Sequence, residues 1–340
     1  MQKKKISIKD IAAKLNVSVT TVSFVLNGKG KEKKISDKMI ERVLAFVKEI
    51  NYKPNQLAQS LRTGKSKIIV FMVEDISNYF FAKIARIMEE LAHREGYNIL
   101  FCSNENNDSR SKELIQLFKE RQVDGYILNP SPGIKNEVAD LIAEKIPVVL
   151  FDRYFPNLKT NYVVINNEIA SYQATDHLIK NGYKKIGFIT IESHQIQMQE
   201  RKRGYKRAIE EHGLLEEILE IKFELGNYNY NKEMIKDFIF SKNLDSVYFS
   251  TNYLTQSGLE IFHETDPKLL NTYGIVTFDD HEFFKIHTPS ISAIAQPKKE
   301  IAENLINIIL SRLKGTSSEK VDEIVLNGKL IERDSSKKLI

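Results

Sequence analysis

Apolar positions in the first fifty residues recur at a helical spacing. In SIKDIAAKLNVSVTTVSFVLN (7–27), Ile8, Ile11, Ala12 and Leu15 fall at i, i+3, i+4 and i+7, one stripe of a helix. Asn16-Val17 then leaves room only for a tight turn, after which Val22, Val25 and Leu26 repeat the spacing. Ser7 and Ser18 each stand where a helix needs a side-chain oxygen for its first amides. A third stripe, Met39, Ile40, Val43, Phe46, Val47 and Ile50, follows Ser36. The second helix would leave Val19, Thr20, Ser23 and Phe24 outward, which fits a helix-turn-helix with a major-groove helix. An ordinary helical hairpin would show the same stripe, so the rest of the chain has to decide.

The segment NYKPNQLAQSLRTGKSK (51–67) differs in kind. Tyr52 and Pro54 end the third helix, because a proline ring disfavours helical geometry in the residue before it. NQLAQSLR would form two turns with Leu57, Ala58 and Leu61 on one side, too short to stand alone in water. Thr63 to Ser66 reads as flexible linker.

From Lys67 apolar runs alternate with helical stretches. IIVFMV (68–73), YNILFC (97–102), GYILNP (125–130) and PVVLFD (147–152) are separated by helices near 83–95, 111–121 and 135–145. After Asn166 the pattern restarts. Helix 168–180 leads to strand 184–190, helices 200–212 and 231–240, strand 246–250, helix 254–264 and strand 274–280. ISAIAQP (291–297), helix 298–313 and a last strand near 321–326 follow. Continuous β-rich runs bounded by helices predict parallel strands covered on both faces. The expected fold class is therefore α/β: a three-helix head with a hinge helix, then a two-lobed core of two doubly wound parallel sheets. Expected boundaries are 1–54 for the head, 55–66 for hinge and linker, and 67–340 for the core. Its first lobe would hold about 67–166 plus 297–326, and its second about 167–296 plus 327–340.

Composition changes this picture through its distribution. With 340 residues and 42% hydrophobic content the chain can bury a sizeable core. The net charge of +5 divides unevenly: residues 1–66 hold 15 Lys/Arg against 5 Asp/Glu, a net of +10, which leaves −5 for the remainder. A basic head on a mildly acidic body suits a polyanion-binding module joined to a regulatory or catalytic domain. No apolar run is long enough to span a membrane, and no apolar region of a signal peptide follows the basic start, so a cytoplasmic location is expected. The single Cys102 fits a reducing compartment.

The chemistry of catalysis is thin. Seven scattered histidines form no HExxH or HxH pattern and have no cysteine partner, so no metal or other cofactor is expected. Neither a GxxxxGK[ST] loop nor a GxSxG elbow occurs, which argues against an enzyme. Polar and aromatic residues instead fall where strands should end: Asp75 and Asn78 to Phe81, Phe151-Asp152-Arg153, Ser250-Thr251-Asn252 and Phe278-Asp279-Asp280, with Arg201 opening a helix. Aspartate accepts hydroxyl hydrogen bonds, arginine donates a fork, and rings cover the apolar face of a sugar or base. In tandem α/β units such ends point to a shared crevice.

IKDIAAKLNVSVTTVSFVLNG, NYKPNQLAQSLRTGKS, DISNYFF, QVDGYIL, VVLFDR, DHLIKNGYKKIGFI, RKRGYKRAI and the FDD of Phe278 to Asp280, in this order and spacing, resemble the lactose/galactose repressor family over essentially the whole chain. The resemblance implies a homodimeric repressor of carbohydrate-utilisation genes. It would bind a pseudo-palindromic double-stranded DNA operator and be controlled by a small effector, a sugar or sugar derivative, held between a pair of periplasmic-binding-protein-like lobes. Val19, Thr20 and Phe24 then match base-reading positions, with Ser7, Ser18, Thr21, Ser23, Asn27, Tyr52 and Asn55 among the further DNA contacts. Leu61 matches a leucine that wedges into the minor groove, with Ala58 beside it. Asn78, Asp152, Arg201, Asn252 and Asp279 match polar effector contacts, and Phe80 and Phe81 the aromatic wall.

Four features depart from the family pattern. Phe24 replaces an arginine and forgoes bidentate guanine reading, although its ring could touch a thymine methyl. The Gly-Lys loop after Asn27 is longer than usual, Tyr79 replaces a proline, and Tyr253 replaces an aspartate. Two other classes compete. A sugar- or nucleoside-binding protein would share the cleft but has no use for the basic head, and a sugar-processing α/β enzyme should show a phosphate loop or a convergent acid/base set.

Overall fold

A computed structural model of the chain describes residues 6–52, 60, 64–222, 228–316 and 320–337. The expected hinge-helix positions Asn55, Ala58 and Leu61 lie outside the described residues. The chain divides into two compact units, Met1–Ser66 and Lys67–Ile340.

In the first unit, α1 (Ile8–Leu15), α2 (Val19–Leu26) and α3 (Asp37–Glu49) bury Ile11, Ala12, Leu15, Val22, Val25 and Val43. These come from the three stripes of the sequence pattern. Ser7 and Asp10 form a reciprocal capping box, with the Ser7 amide donating to Asp10 at 2.8 Å. Asn16 takes a left-handed φ of 50° and turns the chain within two residues. Ser18 Oγ accepts from the Thr21 amide at 2.9 Å and starts α2. The lysine loop then passes close to α3 at Gly30, where a Cβ would stand 2.7 Å from Ile40 Cδ1.

The second unit holds two six-stranded sheets. The first comprises β1 (Ile68–Val73), β2 (Asn98–Ser103), β3 (Gly125–Leu128), β4 (Val148–Phe151), β5 (Asn161–Ile165) and β11 (Glu323–Leu326). The second comprises β6 (Ile186–Ile191), β7 (Glu217–Ile221), β8 (Ser246–Phe249), β9 (Gly274–Phe278), β10 (Ser292–Ala295) and β12 (Lys329–Ile331). Their orders, β2-β1-β3-β4-β5-β11 and β7-β6-β8-β9-β10-β12, are the same doubly wound arrangement. Every pairing is parallel except β10 with β12. Strands β3, β4, β8 and β9 are buried throughout, because helices cover both faces and leave no solvent side to alternate with.

The first sheet carries α4 (Tyr79–Arg94), α5 (Asp108–Glu120), α6 (Lys135–Ala143) and α11 (Lys298–Lys314). The second carries α7 (Asn167–Lys180), α8 (Ile196–Glu211), α9 (Tyr228–Ser241) and α10 (Asn252–Thr265). The chain passes between the lobes after β5, after β10 and after β11. One hydrophobic cluster draws on both lobes, from Phe71 and Val149 to Phe188 and Ile294.

Several expectations need correction. β5, β7 and β12 were not expected. β7 (EILEI) is a half-exposed edge strand whose glutamates interrupt the apolar run, and β12 spans three residues. Helix α8 starts at Ile196 and not near 200, so Arg201 lies in its second turn instead of opening it. The start has no side-chain cap and a glutamine-rich sequence, which hid it from a periodicity reading. Phe24 is not fully outward either: it is half-buried, with Lys33 Nζ 5.7 Å from its ring centre.

Candidate functional site

Two surfaces concentrate the candidate residues, one in each unit. On the head, α2 exposes Val19 and Thr20 in its first turn, and Val19 is 41% exposed despite being apolar. Thr21 and Ser23 are half-buried, and Thr21 Oγ1 lies 2.8 Å from Ser18 Oγ. The exposed Asn27 amide donates to the Ser23 carbonyl at 2.6 Å and ends the helix. Ser7 is exposed and committed to its capping box. Tyr52 packs against the head core, and its amide donates to the Val47 carbonyl at 3.0 Å. The following loop exposes Lys29, Lys31, Lys33 and Lys34. Lys31 and Lys33 have carboxylate neighbours, Asp37 at 3.8 Å and Glu32 at 3.2 Å, both solvated pairs of small worth. The loop therefore stays available to a polyanion.

In the second unit a cavity of about 560 Å³ opens between the lobes. Asn78, Phe80, Phe81, Asp152, Arg201, Asn252 and Asp279 all line it. From the first lobe, Asn78 caps α4 by accepting from the Phe80 amide at 2.9 Å, which sets Phe80 and Phe81 at the cavity wall. Phe80 stacks on Phe151 at 5.8 Å and Phe81 meets it edge-on at 5.9 Å, so the three rings pack as one wall. Asp152 follows β4 with a left-handed φ of 66°. Asn129, at the end of β3, donates to Asp152 at 3.0 Å and accepts from Arg153 at 2.5 Å. Arg153 is 3% exposed and turns back to Glu74 at 3.1 Å. Burial pushes the Asp152 carboxyl up to about 6, against the pull of Arg201 and Arg153 and with the help of Asp279.

From the second lobe, Arg201 lies flat on the Phe278 ring, 3.6 Å from its centre. Its Nε donates to Asn167 at 3.0 Å and its Nη1 to the Ser250 carbonyl at 2.8 Å. Gly204 permits this placement: a Cβ there would collide with the Glu168 carbonyl, so α8 can approach α7 only as glycine. The Ser171 hydroxyl then donates to the Arg201 carbonyl at 2.5 Å. Asp279 follows β9 with φ 73° and accepts from Gln296 at 2.6 Å.

The lobes meet through side chains at the cavity rim. Asn78 and Asn252 exchange amide hydrogen bonds at 3.1 and 3.3 Å, and Gln195 donates to Asn106 at 2.7 Å. The Tyr79 ring lies 4.2 Å from that of His281, and its hydroxyl bonds Glu282; burial first, then Glu282, pushes the phenol up to about 12. Tyr253 lines the cavity and bonds Asn78.

Sequence reasoning missed Asn129, Gln195, Gln197 and Gln296. Asn129 and Gln296 obey the strand-end rule that selected Asp152 and Asp279, and could have been found by it. Gln195 and Gln197 precede the stretch in which helical periodicity is legible.

Comparison with known proteins bears on both units. The model for bacterial regulatory proteins of the lacI family matches residues 7–55. The model for periplasmic binding proteins and the sugar binding domain of the LacI family matches residues 66–242, more than half of the chain, and a periplasmic binding protein-like domain matches 175–336. The HTH-type transcriptional repressor PurR of Photobacterium profundum is 29% identical over 339 residues, 98% of this chain and 99% of that protein. The ribose operon repressor of Haemophilus influenzae is 28% identical over 337 residues, 97% and 98% of the two chains. A LacI-family transcriptional regulator from Silicibacter pomeroyi shares the fold, with a TM-score of 0.81 at 22% identity over 98% of this chain and 100% of that one. The chain belongs to the LacI family of bacterial regulatory proteins and is a DNA-binding transcriptional regulator.

Proposed function

We propose that this regulator works as a cytoplasmic homodimer that represses carbohydrate-utilisation genes from a pseudo-palindromic operator, and that a small sugar-like effector between the lobes sets its DNA affinity. One observation carries the effector part. Seven residues far apart in sequence converge on a single cavity of about 560 Å³, a volume suited to a small ligand. Phe80 and Phe81 would cover the apolar face of a ring, while Asp152, Asp279, Arg201, Asn78 and Asn252 would bond its hydroxyls. The similarity to a protein named a ribose operon repressor also favours a sugar.

The division of labour follows the expected boundaries: 1–54 reads DNA, 55–66 links, and 67–340 senses effector and dimerises. Val19, Thr20 and Phe24 stand at the base-reading positions, Ser18, Thr21, Ser23 and Asn27 contact the DNA backbone, and Ser7, Tyr52 and Asn55 add further DNA contacts. Leu61, flanked by Ala58, wedges into the minor groove. Ligand bound between the lobes favours one lobe angle and so shifts the DNA-competent population.

The test is a thermal-shift screen of sugars and related small molecules, followed by operator titration with each ligand that stabilises the protein. A stabilising ligand should also change operator affinity, and a ligand that stabilises without doing so contradicts the coupling. Operator binding itself should weaken steeply between low and moderate salt, because phosphate contacts by the head release counterions. Leu61→Ala should weaken operator binding while both units melt as in the parent, and unchanged affinity removes the wedge.

A further inference from the structure

The cleft's polar inventory is strongly one-sided. Six carboxylates line it, Glu74, Asp75, Glu105, Asp152, Glu192 and Asp279, against one cation, Arg201; among the described residues no lysine or histidine does. Some of this charge is answered locally. Glu74 pairs with Arg153 at 3.1 Å, Glu105 with Arg110 at 2.6 Å, and Asp75 accepts from the Ser77 amide and hydroxyl, each at 2.8 Å. Asp152 and Asp279 accept from the neutral amides of Asn129 and Gln296 and feel the charges of Arg153 and Lys298. With Glu192 they face the cavity alongside Arg201, whose Nε and Nη1 are already committed to Asn167 and Ser250.

A second observation is independent of charge. Gln197 is 5% exposed, lines the same cavity, and its Oε1 accepts no hydrogen bond among the described residues. Its Nε2, in contrast, donates to Gln195 at 3.3 Å. The side-chain amides that line the cavity are largely spent as donors: Asn252 gives to Asn78, Gln195 to Asn106 and Gln296 to Asp279. A buried acceptor without a donor costs free energy, and a ligand O–H or N–H would remove that cost. A phosphate or carboxylate has only acceptors to offer and brings charge of the wrong sign.

We propose that the cleft selects polyhydroxylated effectors that are uncharged or carry an amine, and rejects their phosphorylated and acidic counterparts. This rests on the cleft being the effector site and narrows the class that binds there. Asp152 and Asp279 approach the ligand from opposite lobes, so either a pair of hydroxyls or one ammonium group satisfies both.

Two arms test it. In the first, thermal shift on the full chain compares D-ribose, D-glucose and D-galactose with their phosphates, and the two hexoses also with their amino and uronic acid forms. In any series that stabilises the protein, the parent or amine should give the larger shift. A phosphate or acid that outperforms its parent overturns the proposal. The second arm needs no ligand identity. Ser193→Cys, at the cavity wall, is placed in a Cys102→Ser background and labelled with cationic and anionic methanethiosulfonates, each rate normalised to free cysteine. A cleft lined by one sign of charge raises the local concentration of its counter-ion about 10- to 1000-fold, so the cation should react at least about tenfold faster. A ratio no higher than that of free cysteine overturns the proposal, and this ratio alone decides if no series shifts the melting temperature. Adding Asp152→Asn and Asp279→Asn should remove most of the preference. The site reading fails separately, through a ligand shift that survives Arg201→Ala.

Discussion

The two lobes share one strand order and place an aspartate at the same point, Asp152 after β4 and Asp279 after β9, with φ of 66° and 73°. Around those equivalent carboxylates the chemistry diverges. The first lobe surrounds Asp152 with an asparagine, one arginine of its own, Arg153, and a wall of three phenylalanines. The second holds Asp279 by one glutamine and uses one phenylalanine, Phe278, as a bed for Arg201. Topology thus fixes where a functional group can stand. The helix starts beyond the strands decide what it does: α4 supplies aromatic surface and α8 a cation. A ligand between them meets an apolar floor on one side and a polar face on the other.

The contrast can be broken in order of expected effect. Arg201→Ala removes the second lobe's cation and leaves the Ser250 carbonyl and Asn167 without their donor. Bonds to a charged group are worth about 1.5–3 kcal/mol each, so effector affinity should fall at least about tenfold, with melting also lowered. Isothermal titration and thermal melts read both, and unchanged affinity would place the effector away from Arg201. Asp152→Asn tests the first lobe through pH. Because burial raises this carboxyl from an ordinary aspartate value to about 6, the native state holds the extra proton between those limits, and stability falls as pH rises through that window. At neutral pH the substitution should therefore stabilise the ligand-free protein, by at most about 3 kcal/mol, and flatten the melting temperature between pH 4 and 6. A lowered melting temperature at pH 7 would show that Arg201 and Arg153 outweigh burial. The smallest effect belongs to the rim. Tyr79→Ala deletes the ring contact with His281 and the bond to Glu282, which should loosen lobe closure by about 1 kcal/mol. Small-angle scattering of the ligand-free protein should register a larger radius, and an unchanged radius would leave closure to the Asn78–Asn252 pair.

The alternation of apolar runs and helical stripes was legible over most of the chain from Lys67 to the last helix because a buried parallel strand is a continuous run of its own. Three strands were not: the interior β5 and the two edge strands β7 and β12. β7 faces solvent with its glutamates, and β12 is short enough that only its pairing with β10 makes it a strand. In the cleft, strand-end polar residues could be named in advance, since a parallel sheet presents those ends to one crevice. Arg201 was found through its chemistry, although its place in α8 was misjudged.

Local pattern, then, determined three things: the three helices of the head, the α/β class of the body, and the residue types at the strand ends. Each depends on spacing within a few residues and on the sign of a side chain, which a sequence carries directly. Tertiary structure alone decided that Asn129 locks Asp152, that Phe278 carries Arg201, that Gln197 keeps an unanswered oxygen, and that carboxylates outnumber cations in the cavity. Those outcomes depend on groups brought together from positions 74 to 296, and on burial that removes water as a competing partner. Phe24 shows the limit at the smallest scale. Its helical position marked it as outward, and only the folded lysine loop brought Lys33 over its ring.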